Sequence, residues 1–153
     1  MRSIVGALAA SLACVALTFA AARPLSSDLD PKAIAYKLPD QIKWMDDPIG
    51  AKMAVIQGDP SKPGLYVVFV KWPPHHFSHP HFHPNDRFIT VLSGTWWVGT
   101  GSKFDTDSTV PLPAGTVVTH FGEQIHYDGA KDVEAMLEIV GEGPATATPA
   151  ETK

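Results

Sequence analysis

Residues 72–94 read WPPHHFSHPHFHPNDRFITVLSG and contain five of the chain's seven histidines, all between positions 75 and 83. Neutral imidazole is the commonest side-chain ligand of transition metals, and histidines rarely cluster so closely without a reason. The remaining two, His120 and His126, lie in a later segment. The stretch therefore predicts a metal site that a distant part of the chain completes.

The rest of the chain predicts an all-β fold. Its apolar residues come in short blocks rich in Val, Ile, Phe and Trp, and none is long enough for a typical helix. Turn clusters rich in Gly, Pro, Asn and Asp separate the blocks at intervals of roughly 8 to 12 residues, as in sandwiches and barrels. The blocks are residues 53–56, 65–72, 88–92, 95–98, 116–121 and 135–140.

The histidines can be placed on these strands. His81 and His83 are two residues apart at the entry to a strand, so alternation directs both imidazoles to one face. A spacing of two residues suits a pair of ligands to one ion. His126, at the start of a later strand, would supply the third imidazole.

This arrangement resembles the cupin family, whose small jelly-roll barrel, the double-stranded β-helix, carries two motifs. The first is HxHxxx(x)E followed, after six intervening residues, by a glycine. The second is PxG with a later histidine. His81, His83 and Gly94 match the first motif, and residues 113–115 with His126 match the second. The resemblance covers roughly residues 45–143. It implies a single-domain cupin barrel that binds a divalent transition metal, iron foremost, with zinc, manganese, nickel and copper as alternatives.

One position departs from the family pattern. Seven residues before Gly94, where the family places its metal-binding glutamate, this chain has Arg87. A guanidinium stays protonated and has no lone pair for a cation. Asp86 could replace the glutamate only through a one-residue register slip, which would turn its side chain to the opposite face. The four-ligand site is therefore incomplete.

Three hypotheses follow from Arg87. In the first, His81, His83 and His126 form a three-histidine site, and Arg87 holds an anionic substrate by bidentate hydrogen bonds. This is similar to the thiol dioxygenases and a diketone-cleaving dioxygenase among the cupins. The resemblance implies O2-dependent oxidation of a small carboxylated molecule. Tyr127, beside His126, is a second candidate catalytic residue, as an acid or hydrogen-bond donor, with plain packing as its alternative.

The other two hypotheses involve no turnover. In the second, the protein is a non-catalytic periplasmic binder of a metal or a small ligand, and the additional histidines favour this because a His-rich tract can collect transition metals. In the third, Arg87 repels the cation, and the histidines line a pocket for an organic anion.

The remaining histidines and two tryptophans carry weaker expectations. His79 keeps the two-residue spacing to His81 and is a reserve ligand, whereas His75 and His76 flank a proline-rich loop and are expected in solvent. His120 is expected in the core or beside the site. Trp96 and Trp97 are adjacent on one strand, so one faces inward and the other outward, where it would favour a homodimer contact.

The first 22 residues predict a cleavable secretory signal. Arg2 precedes an apolar run that ends in three alanines, and the only cysteine, Cys14, lies within it. We therefore expect a periplasmic or secreted protein without a thiol in its mature part. The predicted organisation is residues 1–22 signal peptide, 23–44 N-terminal arm, 45–143 cupin domain and 144–153 disordered tail.

Size and charge limit the partners. The mature part has about 130 residues, which suits one domain. The chain has 12 basic and 16 acidic residues, and Arg2 is the only charged residue of the signal, so 11 and 16 remain, a net charge of −5. Such a surface disfavours nucleic acid and anionic membranes. A small-molecule substrate or ligand is the expected partner.

Overall fold

The computed structural model describes residues 29–152. They fall into two compact units, which meet between Tyr36 and Lys37 in the chain. In the first unit, the amides of Ala33 and Ile34 both donate to the carbonyl of Asp30 and form one turn. The predicted signal segment lies outside the described residues. Within residues 29–152, no helix is long and apolar enough to cross a membrane.

The second unit is built from short antiparallel strands, which confirms the predicted all-β fold. Two three-residue 3-10 turns, Pro39–Gln41 and Thr106–Ser108, are its only helical elements among the described residues. The twelve strands are β1 (Met45–Asp46), β2 (Lys52–Gln57), β3 (Gly64–Trp72), β4 (His76–Phe77), β5 (His81–Phe82), β6 (Arg87–Ser93), β7 (Thr95–Thr100), β8 (Val110–Pro113), β9 (Val117–His120), β10 (His126–Ala130), β11 (Ala135–Gly143) and β12 (Thr148–Pro149).

The strands form two sheets. The first has the order β1-β2-β3-β11-β6-β9, and the second has the order β12-β5-β10-β7-β8, with β4 also paired to β10. Neighbours such as β3 and β11 are distant in sequence, which is the crossing connectivity of a jelly roll. The order places β6 and β9 in the first sheet and β5 and β10 in the second, and all four carry the histidines or arginine of the candidate site.

The predicted blocks correspond to β2, β3, β6, β7, β9 and β11. Strand β8 lies outside the six predicted blocks because it contains Pro111 and Pro113. It lies at the edge of its sheet and pairs only with β7, a position where a proline does not break a ladder on both sides. The sequence pattern thus missed a strand whose prolines are tolerated by its edge position.

The core lies on the inward faces of both sheets. Strand β11 alternates buried and partly exposed residues over most of its length, so Leu137 and Ile139 point inward, as does Ile89 on β6. Trp96 is 1% exposed in the core, whereas Trp97 is half-buried under the Lys131 ammonium, 4.1 Å from its ring centroid. The predicted inward and outward placement of the two tryptophans is confirmed.

The predicted disordered tail needs correction for residues 144–152. Strand β12 pairs with β5, the amide of Ala145 donates to Pro60 at 2.7 Å, and the amide of Ala150 donates to Pro80 at 2.8 Å. These contacts are made by the main chain and therefore need no apolar side chains. A composition rich in Pro, Thr and Ala indicates weak side-chain burial, but it does not report such backbone pairing.

We expect Gly94→Ala to lower the free energy of unfolding by about 3 kcal/mol. Gly94 has a φ of +72°, which L side chains rarely adopt, and a Cβ there would collide with the carbonyl oxygen of Glu134. Gly115→Ala is the matched control, because its φ is +89° but a Cβ would meet nothing within 4 Å. Urea unfolding should show the larger loss for Gly94→Ala. Equal losses would mean that the contact with Glu134 is unimportant.

Candidate metal centre

The structure brings His81, His83 and His126 together. His81 on β5 pairs directly with His126 on β10, and His83 follows β5 on the same side. Their potential ligand nitrogens all lie within 4.8 Å of one another. His83 and His126 are buried, and His81 is half-buried. The three residues predicted as metal ligands therefore form one compact group.

Backbone carbonyls orient all three imidazoles. A carbonyl can only accept, so each Nδ1 carries the proton and donates it, and each Nε2 is left with a lone pair. Metal-bound histidines usually donate their second ring N–H in this way. The Nδ1 contacts are His81 to the His79 carbonyl at 2.7 Å, His83 to the Thr146 carbonyl at 2.8 Å and His126 to the Gln124 carbonyl at 3.0 Å.

This donor set fits a transition metal. The Nε2 atoms of His81 and His83 are 3.1 Å apart, and with both protons on Nδ1, two lone pairs face each other at that distance. Such a contact is repulsive unless a cation lies against both nitrogens. Three imidazoles with one open side are also a known ligand set of catalytic metal sites. The three Nε2 atoms would therefore hold the ion.

The surroundings keep His83 and His126 neutral. Burial, together with the positive charge of Arg87, lowers the pKa of His83 from 6.5 to about 3. Burial likewise lowers the pKa of His126, against the opposing charge of Asp128. Because a metal binds only the deprotonated imidazole, protons do not compete with it at these two residues near neutral pH.

Arg87 enters the same region through the strand register of the first sheet. Tyr66 pairs with Gly141, Gly141 pairs with Arg87, and Arg87 pairs with His120, so these four residues form one row across β3, β11, β6 and β9. Gly141 has no side chain, and a Cβ there would lie 2.6 Å from the Tyr66 hydroxyl. The glycine therefore lets Tyr66 lie beside the Arg87 guanidinium, whose charge opposes the burial that raises the pKa of Tyr66.

The Arg87 guanidinium is held by imidazoles and not by a carboxylate. Its Nη2 donates to His120 Nδ1 and to His126 Nε2, both at 3.1 Å. Its Nε is buried with no hydrogen-bond partner among the described residues, and no salt bridge within residues 29–152 includes it. Burial lowers the pKa of Arg87, and the nearby charge of Asp128 opposes this. The side chain is thus a cation with an unused donor.

His120 is the fourth imidazole of the cluster. Its ring centroid lies 4.0 Å from that of His126, and it is 7% exposed, in agreement with the expected place beside the site. Burial lowers its pKa to about 2, with His126 and Arg87 contributing. Because Nδ1 accepts from Arg87, Nε2 carries the proton, and this buried N–H has no partner among residues 29–152.

Asp128 is a buried polar residue that the sequence reasoning missed. It is 6% exposed, and its Oδ1 accepts from the indole N–H of Trp96 at 3.1 Å. Its amide donates to the Ser78 hydroxyl at 3.0 Å. Asp128 lies two residues after His126 on β10, so strand alternation from His126 could have placed it on the same face.

Tyr127 is not brought to the histidines. Strand alternation turns it away from His126, and its hydroxyl donates to the Asp105 carbonyl at 2.9 Å. Its ring packs edge-on against Phe104, at 5.5 Å between centroids. It does not line the cavity described below. The structure therefore gives Tyr127 the packing position that was its alternative.

The first three histidines of the tract also lie apart. His75 and His76 are exposed, as expected. His79 is exposed and its Nδ1 lies 2.8 Å from a Glu151 carboxylate oxygen, so it is not gathered with the three candidate ligands. Only its backbone carbonyl contributes, through the contact with His81.

The site borders a cavity of about 490 Å³ inside the barrel. His81, His83, Arg87 and Asp128 provide polar groups on its wall. Trp72 also lines it, and its buried indole N–H has no partner among the described residues. Most of the wall is apolar. The apolar residues of the wall include Met53, Val68, Val70, Ile89, Trp96, Leu137 and Ile139.

Comparisons with known proteins give structural neighbours only. No protein-family model matches the sequence, and no curated protein matches it. The polyketide cyclase RemF from Streptomyces resistomycificus is similar, with a TM-score of 0.66, 12% identity, and 78% of this chain and 87% of that chain covered.

Two further solved structures support the same architecture. A cupin-2 domain protein from Rhodospirillum rubrum has a TM-score of 0.59 and 12% identity over 78% of this chain and 80% of that chain. A double-stranded β-helix domain protein from Klebsiella pneumoniae has a TM-score of 0.53 and 18% identity over 83% of this chain and 99% of that chain. At these identities the likeness concerns the fold. Together with the sheet order, it shows that this chain has the double-stranded β-helix fold of the cupin proteins.

Proposed function

We propose that this protein binds one divalent transition metal through His81, His83 and His126 and oxidises a small carboxylated molecule with O2. The observation that carries the metal site is the orientation of three Nε2 lone pairs by three backbone carbonyls. Bound iron would supply the redox chemistry. In a dioxygenase reaction both oxygen atoms enter the product, so no separate reductant is required.

Unpaired donors on two residues that line the cavity support the proposed substrate class. The Nε of Arg87 and the indole N–H of Trp72 are both buried without partners among residues 29–152, and both residues line the cavity. A buried donor without an acceptor is costly, so a ligand that supplies oxygen acceptors is favoured. A carboxylate also neutralises the guanidinium, and the apolar wall suits an aliphatic or aromatic body.

The chain's own residues would have distinct tasks. Arg87 would bind and orient the carboxylate, which is a positioning effect as well as an electrostatic one. The apolar wall would exclude water from the reacting group. The predicted signal would direct the protein to the periplasm or outside the cell. A homodimer contact at the half-exposed Trp97 stays a prediction.

A second candidate function is a non-catalytic binder of a metal or an organic anion. One observation favours it: Nε2 of His126 already accepts a hydrogen bond from Arg87 at 3.1 Å. In that arrangement the guanidinium is the cation of the site, and the cavity could hold an anion without any metal.

Metal content tests the three-histidine site and distinguishes a metal-binding protein from a binder of organic anions alone. We expect protein exported to the periplasm without a His tag to contain about one metal ion per chain, because three imidazoles are preoriented with their Nε2 atoms close together. His81→Ala/His126→Ala should lose the ion. The matched control is His75→Asn/His79→Asn, which also removes two histidines, and it should retain the ion. Metal that survives the first double substitution would contradict the three-histidine site.

O2 consumption by the iron-loaded protein then tests turnover against a panel of small carboxylates. Consumption that depends on one of these acids supports the dioxygenase. A full complement of metal without consumption for any acid favours the binder.

A further inference from the structure

We propose that the metal and Arg87 compete for one lone pair of His126, so that an anionic ligand that draws Arg87 away strengthens metal binding. This inference rests on the proposed function, because it concerns the same three-histidine site. It adds a coupling between the binding of the metal and the binding of the anion at that site.

The competition follows from the protonation of His126. Its Nδ1 donates to the Gln124 carbonyl at 3.0 Å, so the ring has one lone pair left, at Nε2. Arg87 Nη2 donates to this Nε2 at 3.1 Å. One lone pair cannot serve an N–H donor and a metal at once. His126 can therefore complete the triad only after Arg87 releases it.

Arg87 is held weakly enough to move. Both Nη2 hydrogens go to neutral imidazoles, His120 Nδ1 and His126 Nε2. Tyr66 is a further neutral hydrogen-bond partner of the guanidinium, and no described carboxylate lies within 4 Å. A carboxylate offers the guanidinium a bidentate pair of hydrogen bonds and an opposite charge, neither of which a neutral imidazole provides. A carboxylate in the cavity would therefore attract the guanidinium. The bond to His120 can persist while the bond to His126 breaks, because each uses its own hydrogen.

The charge of Arg87 also favours metal binding after an anion has bound. A guanidinium about 3 Å from the nitrogen that should bind a divalent cation opposes that cation, and a bound carboxylate cancels its charge. By linkage, an anion that raises metal affinity must itself bind more tightly when the metal is present. The expected ligand is a monocarboxylate with an apolar body that fits a cavity of about 490 Å³.

Zinc affinity of the intact chain tests the coupling, measured by competition with a chromophoric chelator. Benzoate is the probe anion, and benzamide is its neutral control. We expect saturating benzoate, but not benzamide, to strengthen zinc binding by wild type about tenfold. Arg87→Met and Arg87→Gln should bind zinc about tenfold more tightly than wild type without benzoate, and should not respond to it. Lys103→Met, which removes an exposed cation elsewhere, should behave as wild type.

The outcomes separate the inference from the proposed function. Equal zinc affinity in wild type and both Arg87 variants overturns the competition and leaves the metal site standing. Tighter binding by the variants with no response of wild type to benzoate overturns the coupling to an anion. If none of these proteins binds zinc at one ion per chain, the proposed metal site and the inference are both wrong. Urea unfolding of each variant verifies that it is folded.

Discussion

Arg87→Glu is expected to bind zinc on the order of 100-fold more tightly than wild type. The substitution removes the donor that contacts His126 Nε2 at 3.1 Å and puts a carboxylate on the same inward position of β6. It thereby releases one imidazole, replaces a positive charge by a negative one and supplies a fourth ligand type that zinc accepts.

The measurement is the zinc dissociation constant from chelator competition, with Arg87→Gln as the matched control. Gln has nearly the same length as Glu and no charge, so the difference between the two variants isolates the carboxylate. Arg87→Gln should fall between wild type and Arg87→Glu. If Arg87→Glu bound zinc no better than Arg87→Gln, position 87 would not reach the ion, and the family's ligand position would have no counterpart in this chain.

The metal-free protein is expected to lose about 5 kcal/mol of its free energy of unfolding between pH 6.5 and 5 through His83, His120 and His126. Burial lowers the pKa of His83 to about 3, that of His120 to about 2 and that of His126 to about 4, whereas all three have a pKa near 6.5 in the unfolded chain. Below pH 6.5 the unfolded chain therefore binds protons that the folded chain does not. The stability is fully present above pH 6.5 and declines as the pH falls.

Urea unfolding at pH 7.5, 6.5 and 5 in the presence of EDTA measures this decline. His120→Asn should reduce the loss by about a third, because one of the three groups is removed. His75→Asn is the control, since His75 is exposed and its φ of +64° is tolerated by asparagine. A decline of the same size in His120→Asn as in wild type would show that His120 titrates alike in both states.

Much of the fold was readable from the sequence because its signals are local. Six apolar blocks coincide with strands, and the HxH spacing places His81 and His83 on one side of the chain. The motif spacing also drew attention to Arg87, which the structure places beside His126. These features depend only on the two-residue period of a strand and on short distances along the chain.

The features that the sequence did not reveal depend on contacts between distant segments. The row from Tyr66 through Gly141 and Arg87 to His120 requires the register of four strands, which no local pattern encodes. The bond from Arg87 to His126 joins the two sheets, so neither strand alone predicts it. The placement of Tyr127 is different, because the alternation that put His126 inward already directed its neighbour outward.

Residues 144–152 contact the candidate site although they lie outside the two histidine motifs. The Thr146 carbonyl accepts the Nδ1 proton of His83 at 2.8 Å, and β12 pairs Pro149 with His81. A segment with few apolar side chains thus sets the tautomer of one candidate ligand and aligns the strand of another. The two histidine motifs alone therefore do not include all the groups that orient the candidate ligands. The residues after β11 therefore belong to the candidate site, because they orient His83 and pair with the strand of His81.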